Sequence, residues 1–520
     1  MSMQKTAKYT IILMVTTLLA KLLGFIREMI LAYKFGAGVI SDAYVICFSI
    51  PTVIFAGLGT AIMTCYISIY SEMEVNDPRR LQRFHNNTTT LVIILSGLIT
   101  VVFQIFADPI VKAFAVGFDA DTLKFSVSLA RIMMISLVFI GLSYMLQGYL
   151  QMKGSFLVVG LVSVPLNIVV IATILLAKEG STTLLGTGPV VGYIIALVML
   201  MAAAIRKGYS YHPNLDLQDP GLHKLAALVL PIFVGRTIVQ INTLIDRSLA
   251  STLPAGSVSA LNYANRIFGV VTSVFVVSLV TAVFPKLSRQ NANRNVRSIK
   301  KTTRASLGMV ALLVLPMSAA LICFAEPLVR LLFARGAFDD TAVRLTAESL
   351  VFYSIGLIFY SFRDVLNNVF YSMQEAKVPT INSVLAVVLN VIMNLALIGP
   401  MAHKGLALAT SLSSVITVIM LMVSLRRKIG PMGWGSLMVS GIKMLVGTAL
   451  MALASTRVYN LVAGLRGAGH SPLVPLLAAA VVGVLVYGIV LILLRTREMG
   501  ELIFGAYNAV THKKRPEPQR

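Results

Sequence analysis

Lys21, Arg27 and Glu28 sit in a stretch that is otherwise apolar from Tyr9 to Tyr33. A charge at membrane depth costs about 2.5–3.5 kcal/mol on insertion scales, so a helix that keeps three of them has a use for them. Snorkelling to the headgroups suits Lys34, near the end of the run, but not Lys21 at about mid-span. A short break follows at Phe35-Gly36-Ala37-Gly38, and Asp42 then opens a second apolar run. The anomaly returns further on. Arg236, Gln240, Thr243 and Arg247 follow i, i+4, i+7, i+11, one face of a helix, with Asn242 and Asp246 on the adjacent stripe. Asn262, Asn265 and Arg266 come one run later. Lys21 and Arg236 fall near mid-depth; Arg27, Arg247 and Arg266 fall in the outer half. These five cations outnumber Glu28, Asp42 and Asp246, and the excess suits an anionic ligand better than a cationic drug. The competing reading is internal ion pairing, Arg27 with Asp42 and Arg247 in the surroundings of Asp246.

Other polar sets are milder. Tyr360, Asp364, Asn367 and Tyr371 share a helical face, with Arg363 beside them, and Tyr144, Gln147 and Gln151 form a weaker stripe. Hydrogen bonding between helices accounts for both. Asn390 and Asn394 share a face, and with Thr410 and Asp246 they could offer oxygen ligands to a monovalent cation such as sodium. Asparagines also knit helices together. No GxxxxGK[ST] or GxSxG motif occurs, and every loop is too short to house paired acids in a soluble domain, so a catalytic reading is set aside. Cys47, Cys65 and Cys323 form no CxxC pair, and the histidines lack metal-ligand spacing, so neither a metal nor an organic cofactor is expected.

The elements that carry these groups are membrane helices. The chain has 520 residues, of which 57% are hydrophobic and 12% charged, with a mean hydropathy of +0.84. Apolar runs of about 20 residues indicate helices rather than the alternating strands of a barrel. Fourteen spans are expected, at 9–33, 41–70, 88–107, 125–150, 156–177, 185–205, 224–250, 258–284, 305–324, 346–371, 379–399, 403–425, 437–456 and 473–494. The first runs straight into the charged Lys21–Glu28 stretch and is not read as a cleavable signal peptide. The net charge of +23 lies mostly in loops on one side, at Arg79, Arg80, Arg83, Arg206, Lys207, Arg289, Arg297, Lys300, Lys301 and Arg426 to Lys428. The opposite loops hold Asp108, Asp119, Asp121, Asp339 and Asp340. The positive-inside rule then places both termini in the cytoplasm, and the charge signals topology rather than nucleic acid.

The sequence also repeats. Ala107-Asp108-Pro109-Ile110-Val111-Lys112 returns as Ala325-Glu326-Pro327-Leu328-Val329-Arg330, Gly117-Phe118-Asp119 as Ala337-Phe338-Asp339, and Leu166-Asn167 as Leu389-Asn390. Ala37-Gly38-Val39-Ile40-Ser41 echoes Ala255-Gly256-Ser257-Val258-Ser259. Equivalent points are six spans apart, an even number, so the repeats are parallel about an axis along the membrane normal. The expected architecture is all-α: an N-terminal lobe over 1–207, a second six-helix lobe over 208–428, two more spans within 429–497 and a basic tail over 498–520.

At Leu22-Leu23-Gly24-Phe25-Ile26-Arg27-Glu28, Phe35-Gly36-Ala37-Gly38 and Ser41-Asp42-Ala43-Tyr44 the chain resembles the MurJ (MviN) family of bacterial lipid II flippases, within the multidrug/oligosaccharidyl-lipid/polysaccharide exporter superfamily. The likeness continues through Tyr263-Ala264-Asn265-Arg266, Phe284-Pro285 and Leu395-Ala396-Leu397-Ile398-Gly399-Pro400. It implies that Arg27 and Arg266 hold the positions of essential cavity arginines, that Lys21 stands where many members have another arginine, and that Glu28 and Asp42 match the acidic positions. Many members follow the second-span proline with an Arg-Arg pair and an Ala-Glu-Gly-Ala-Phe run. Here Pro51 is followed by Thr52-Val53-Ile54-Phe55-Ala56-Gly57-Leu58-Gly59, and Asn265 replaces a frequent Asp. Arg236 or Arg247 could supply the missing cation.

The resemblance implies a multi-pass protein of the bacterial cytoplasmic membrane that carries an undecaprenyl-diphosphate-linked muropeptide from the inner to the outer leaflet. Two rocking lobes would expose a cationic cavity to each side in turn, with the tail beside the last two spans, driven by the membrane potential or a coupled cation. Its partners would be the lipid-linked precursor, membrane lipids and cell-wall synthesis enzymes. The rivals are a flippase for another polyprenyl-diphosphate-linked glycan, a cation-coupled drug exporter of the same superfamily, and a non-transporting scaffold whose cavity charges are dispensable.

Overall fold

The computed structural model describes the backbone of residues 3–178, 180–466 and 471–511. It describes the side chains of these residues except 3–14, 56, 231, 234–236, 238–239, 274–275, 277, 282, 466 and 505–511. Every regular element among the described residues is a helix. The helices fall into two compact units.

The first unit comprises Met1–Asn262 together with Arg335–Ala342. It holds α1 (Met3–Phe35), α2 (Val39–Asn76), α3 (Pro78–Ile105), α4 (Ala107–Phe114), α5 (Ala120–Met134), α6 (Ser136–Met152), α7 (Phe156–Gly160), α8 (Ser163–Leu176), α9 (Thr182–Ile205), α10 (Pro220–Ala250) and the start of α11 (Ser257–Val271). The second unit comprises Tyr263–Ala334 and Val343–Arg520. It takes the rest of α11, a π-helical turn at Thr272–Val276, α12 (Val277–Ala292), α13 (Val296–Cys323), α14 (Ala325–Phe333) and most of α15 (Asp340–Ile355). α16 (Leu357–Ser372), α17 (Lys377–Met401), α18 (His403–Ile429), α19 (Gly435–Arg466), α20 (Leu473–Leu493) and α21 (Arg497–Thr511) complete it. The boundary lies inside α11 and reflects packing; the repeat boundary at 207/208 is a property of the sequence.

Each expected span falls on one helix or on two or three consecutive helical segments. Among the described residues ten helices are long and apolar enough to cross a membrane, and α15 with α16 adds a span bent by 48°. The other three expected spans lie on α1, α10 and α11–α12, which include side chains outside the described set.

The sequence repeat is visible in the backbone. α4 and α14 are both short helices entered through a phenylalanine of nearly the same conformation, Phe106 at φ −103° and ψ 25°, Phe324 at φ −116° and ψ 23°. Each is followed by an aspartate that begins the next helix: Asp119 stands at the N-cap of α5, and Asp339 accepts the Ala342 N–H at 2.8 Å. Hydrogen bonding from Thr122 holds the Asp119 carboxyl below the usual carboxylate range.

The bend between α15 and α16 has a local cause. Gly356 lets α18 approach so closely that a Cβ there would meet the Ser411 backbone and side chain at 2.5 Å. The Ser411 hydroxyl donates to the Phe352 carbonyl at 2.6 Å, replacing a helical partner that the bend removes. Apolar composition says where a helix runs; a glycine facing a serine decides where this one breaks.

Candidate functional site

The charged corner of the first unit is built from the end of α1, the start of α2 and the start of α11. Arg27, Glu28 and Asp42 are 7%, 4% and 2% exposed, so all three are desolvated. The Arg27 guanidinium donates from Nη2 to Glu28 Oε1 at 2.7 Å and lies 4.4 Å from the centroid of the Phe48 ring. Glu28 accepts a second hydrogen bond at Oε2, from Asn262 Nδ2 at 3.0 Å. Tyr44 and Tyr193 flank the guanidinium. The Tyr44 hydroxyl is buried and has no hydrogen-bond partner among the described residues. A buried pair of this kind needs hydrogen bonds on its remaining atoms to offset desolvation, and Asn262 and Phe48 supply part of that.

Asp42 does something else. Oδ2 accepts the Gly256 N–H and Oδ1 the Ser259 N–H, both at 2.7 Å. The carboxylate thus satisfies two donors at the start of α11 and sits at the positive end of its dipole. Gly256 has φ +93°, and a Cβ there would run into the Ala37 carbonyl, so the echo between residues 37–41 and 255–259 includes a direct backbone contact. The pairing of Arg27 with Asp42 considered above is therefore not the one formed: Glu28 takes the arginine and α11 takes the aspartate.

The remaining candidates are divided between the two units. Arg247 is half-buried and donates to the Val45 carbonyl at 3.4 Å, within the same unit. Asp246 has Asn242 Nδ2 at 3.5 Å. Lys21 is exposed. The Arg236 side chain lies outside the described residues. Arg266 belongs to the second unit and is exposed, just ahead of the π-helical turn. Turns of that type recur at functional sites because they re-aim a helix. Phe268, two residues on, meets the Tyr360 ring edge-on at 5.3 Å, and the Arg363 guanidinium stacks on the same tyrosine at 4.0 Å while reaching Asp364 at 3.5 Å. Asn394 donates to Asn390 Oδ1 at 2.9 Å, and Asn390 donates to Thr410 at 3.4 Å, so these three members of the suggested cation set form a hydrogen-bonded chain in the second unit. Asp246 belongs to the first unit.

The second unit also holds an apolar cavity of about 600 Å³ bounded by α13, α14, α19, α20 and α21. Leu312, Pro316, Phe324, Leu476, Ala480 and Tyr487 are among its lining residues. Nothing in the sequence pattern located it, because residues that face lipid and residues that face an apolar cavity are the same kinds of residue. The Tyr44 hydroxyl and the Phe48 ring were also missed as site members. Tyr44 lies two positions past Asp42, but period alone does not turn it toward Arg27.

Ten helices long and apolar enough to cross a membrane among the described residues, together with a desolvated arginine–carboxylate pair, make this a polytopic membrane protein. A family model described as lipid II flippase MurJ matches residues 31–473. The chain belongs to that family. A probable lipid II flippase MurJ of Buchnera aphidicola subsp. Baizongia pistaciae is 30% identical over 415 residues, covering 78% of this chain and 80% of that protein. One from Vibrio cholerae is 27% identical over 427 residues, 79% and 81% of the two chains. A solved lipid II flippase MurJ in an inward closed conformation shares the fold, with a TM-score of 0.79 at 22% identity over 93% of this chain and 99% of that one. An inward-facing multidrug resistance MATE family transporter of the MOP superfamily matches with a TM-score of 0.67 at 15% identity, over 79% of this chain and 95% of the other. The chain is accordingly a multi-pass cell-membrane protein.

Proposed function

We propose that this chain moves lipid II, an undecaprenyl-diphosphate-linked muropeptide, from the inner to the outer leaflet of the bacterial cytoplasmic membrane. Both termini would lie in the cytoplasm, as the basic loops imply. The observation that carries this reading is the buried Arg27–Glu28 pair beside a tyrosine hydroxyl with no hydrogen-bond partner among the described residues, in a chain of this family. A diphosphate offers several anionic oxygens that a guanidinium binds through paired, charge-assisted hydrogen bonds. Its arrival would compete with Glu28 for Arg27, while Tyr44 has a hydroxyl to donate. Arg266 supplies a second, exposed cation. The tail would lie in the apolar cavity, whose volume of about 600 Å³ accommodates a length of polyprenyl chain. Depleting the protein and assaying lipid-linked precursors tests the assignment: lipid II should accumulate inside the cell. Accumulation of a different polyprenyl-linked glycan would reassign the substrate.

The tail site yields a separate expectation. Ala480 is exposed and lines the cavity. Ala480→Trp should lower transport several-fold by filling space, while retention of a short-chain lipid II analogue by the purified variant stays unchanged. Equal loss of both would place the tail elsewhere.

Outward movement of an anion is favoured by about 2.3 kcal/mol per charge per 100 mV at an inside-negative potential, so the field can drive the step without ATP. The alternative drive is a monovalent cation at Asp246, Asn390, Asn394 and Thr410. On that alternative Asp246→Asn abolishes a sodium dependence of transport and spares precursor binding. A transport rate indifferent to sodium in the unmodified protein leaves the potential as the drive and the asparagines as links between α17 and α18.

A further inference from the structure

The second unit has a polar cleft distinct from the apolar cavity. It has a volume of about 40 Å³ and lies among α13, α19 and α21, lined by Lys301, Arg304, Ser440, Arg497, Glu498 and Glu501. α21 turns Met499 and Leu502 to the cavity and Glu498 and Glu501 to the cleft. Glu498 is only 8% exposed, and its Oε2 has no hydrogen-bond partner among the described residues. Two of the cations nearby are already engaged. Arg497 donates to Glu501 at 3.0 Å, and Arg304 donates to the Gly433 carbonyl at 3.1 Å, using one of its five N–H groups. A carboxylate oxygen held out of water, on a residue that lines the cleft, calls for a donor small enough to reach it from there.

The rim has the opposite sign. Lys301 and Arg304 belong to the end of α13 that also carries Arg297 and Lys300, the end that the charge asymmetry assigns to the inner-leaflet headgroups. An acceptor inside and cations outside complement a zwitterion whose ammonium leads and whose phosphate follows. We propose that this cleft holds the phosphoethanolamine head of an inner-leaflet phospholipid, with its ammonium donating to Glu498 Oε2 and its phosphate lying on Lys301 and Arg304. A choline head fits poorly, because its quaternary nitrogen has no N–H to donate to the carboxylate. A glycerol head can donate hydroxyls but brings no positive charge to the carboxylate. Water would satisfy Glu498 but would make no use of the cationic rim.

Native mass spectrometry on the purified full chain tests this, using phosphatidylethanolamine, phosphatidylglycerol and phosphatidylcholine with identical acyl chains. A hydrogen bond to a charged group supports an expected preference for the ethanolamine lipid over the choline lipid of about tenfold. Glu498→Gln should reduce that preference to about twofold or less while leaving phosphatidylglycerol retention unchanged, since only the ammonium contact loses its charge. Arg304→Ala should weaken ethanolamine and glycerol lipids alike. Excess soluble glycerophosphoethanolamine should displace the bound lipid if the head alone is recognised. Equal retention of ethanolamine and choline lipids by the unmodified protein overturns the proposal, as does an undiminished preference in Glu498→Gln. The comparison on the unmodified chain decides the matter even if that variant fails to accumulate.

Discussion

Arg27→Ala and Arg266→Ala should both abolish support of growth, and they should do so in different ways. The Arg27 guanidinium is buried and bonded to Glu28 at 2.7 Å, so its removal takes the charged partner from a desolvated carboxylate that Asn262 also bonds. Breaking a buried pair by removing one partner costs about 3–5 kcal/mol, enough to lower the membrane abundance of a marginally stable protein several-fold. Arg266 is exposed, and its loss should leave abundance near normal. What it forfeits is a contact to the diphosphate, about 1.5–3 kcal/mol, or ten- to a hundredfold in binding. A second substitution separates the two effects. Arg27→Ala combined with Glu28→Gln removes the stranded charge and should restore abundance, yet transport should remain lost. If the double variant transports normally, Arg27 serves folding alone. Membrane abundance by immunoblot alongside complementation reads all of these outcomes.

The second large effect is expected at Asp42. Its two oxygens accept the Gly256 and Ser259 N–H groups at 2.7 Å, and the side chain is 2% exposed. Asp42→Ala leaves two buried donors unsatisfied, at about 1–3 kcal/mol each, and removes an anion from a helix N-terminus. Purified Asp42→Ala should therefore unfold at a clearly lower temperature, with Asp42→Asn intermediate because one acceptor survives. A residue whose duty is to touch substrate behaves otherwise, losing transport at an unchanged unfolding temperature. That result would move Asp42 from the α11 cap to the ligand.

Much of this was legible from residue types alone. Apolar run length located the helices, and the even number of spans between repeats anticipated matching elements such as α4 and α14, because both signals are local or periodic. Pairing was less legible. Arg27 and Glu28 are adjacent in sequence, and neighbours one apart on a helix do not face each other, so a bond between them depends on side-chain rotamers rather than period. The contact between Asp42 and the start of α11 joins residues 214 and 217 positions apart, and neither partner backbone N–H leaves a trace in the sequence. The apolar cavity was invisible for the reason that makes membrane helices easy to find, since lipid and a polyprenyl tail select the same side chains. Buried Glu498 was hidden as well, in a segment read as a basic tail.

On the proposed function, the chain exposes lipid II to the opposite leaflet through its buried and exposed arginines. Reconstitution into vesicles with lipid II labelled on its peptide tests this directly, by following the fraction of label reached by a membrane-impermeant quencher. Quenching should rise above the protein-free level, and fall back to that level in Arg266→Ala and in the Arg27→Ala, Glu28→Gln double variant. Quenching by those variants equal to that of the unmodified chain would contradict that role of the arginines.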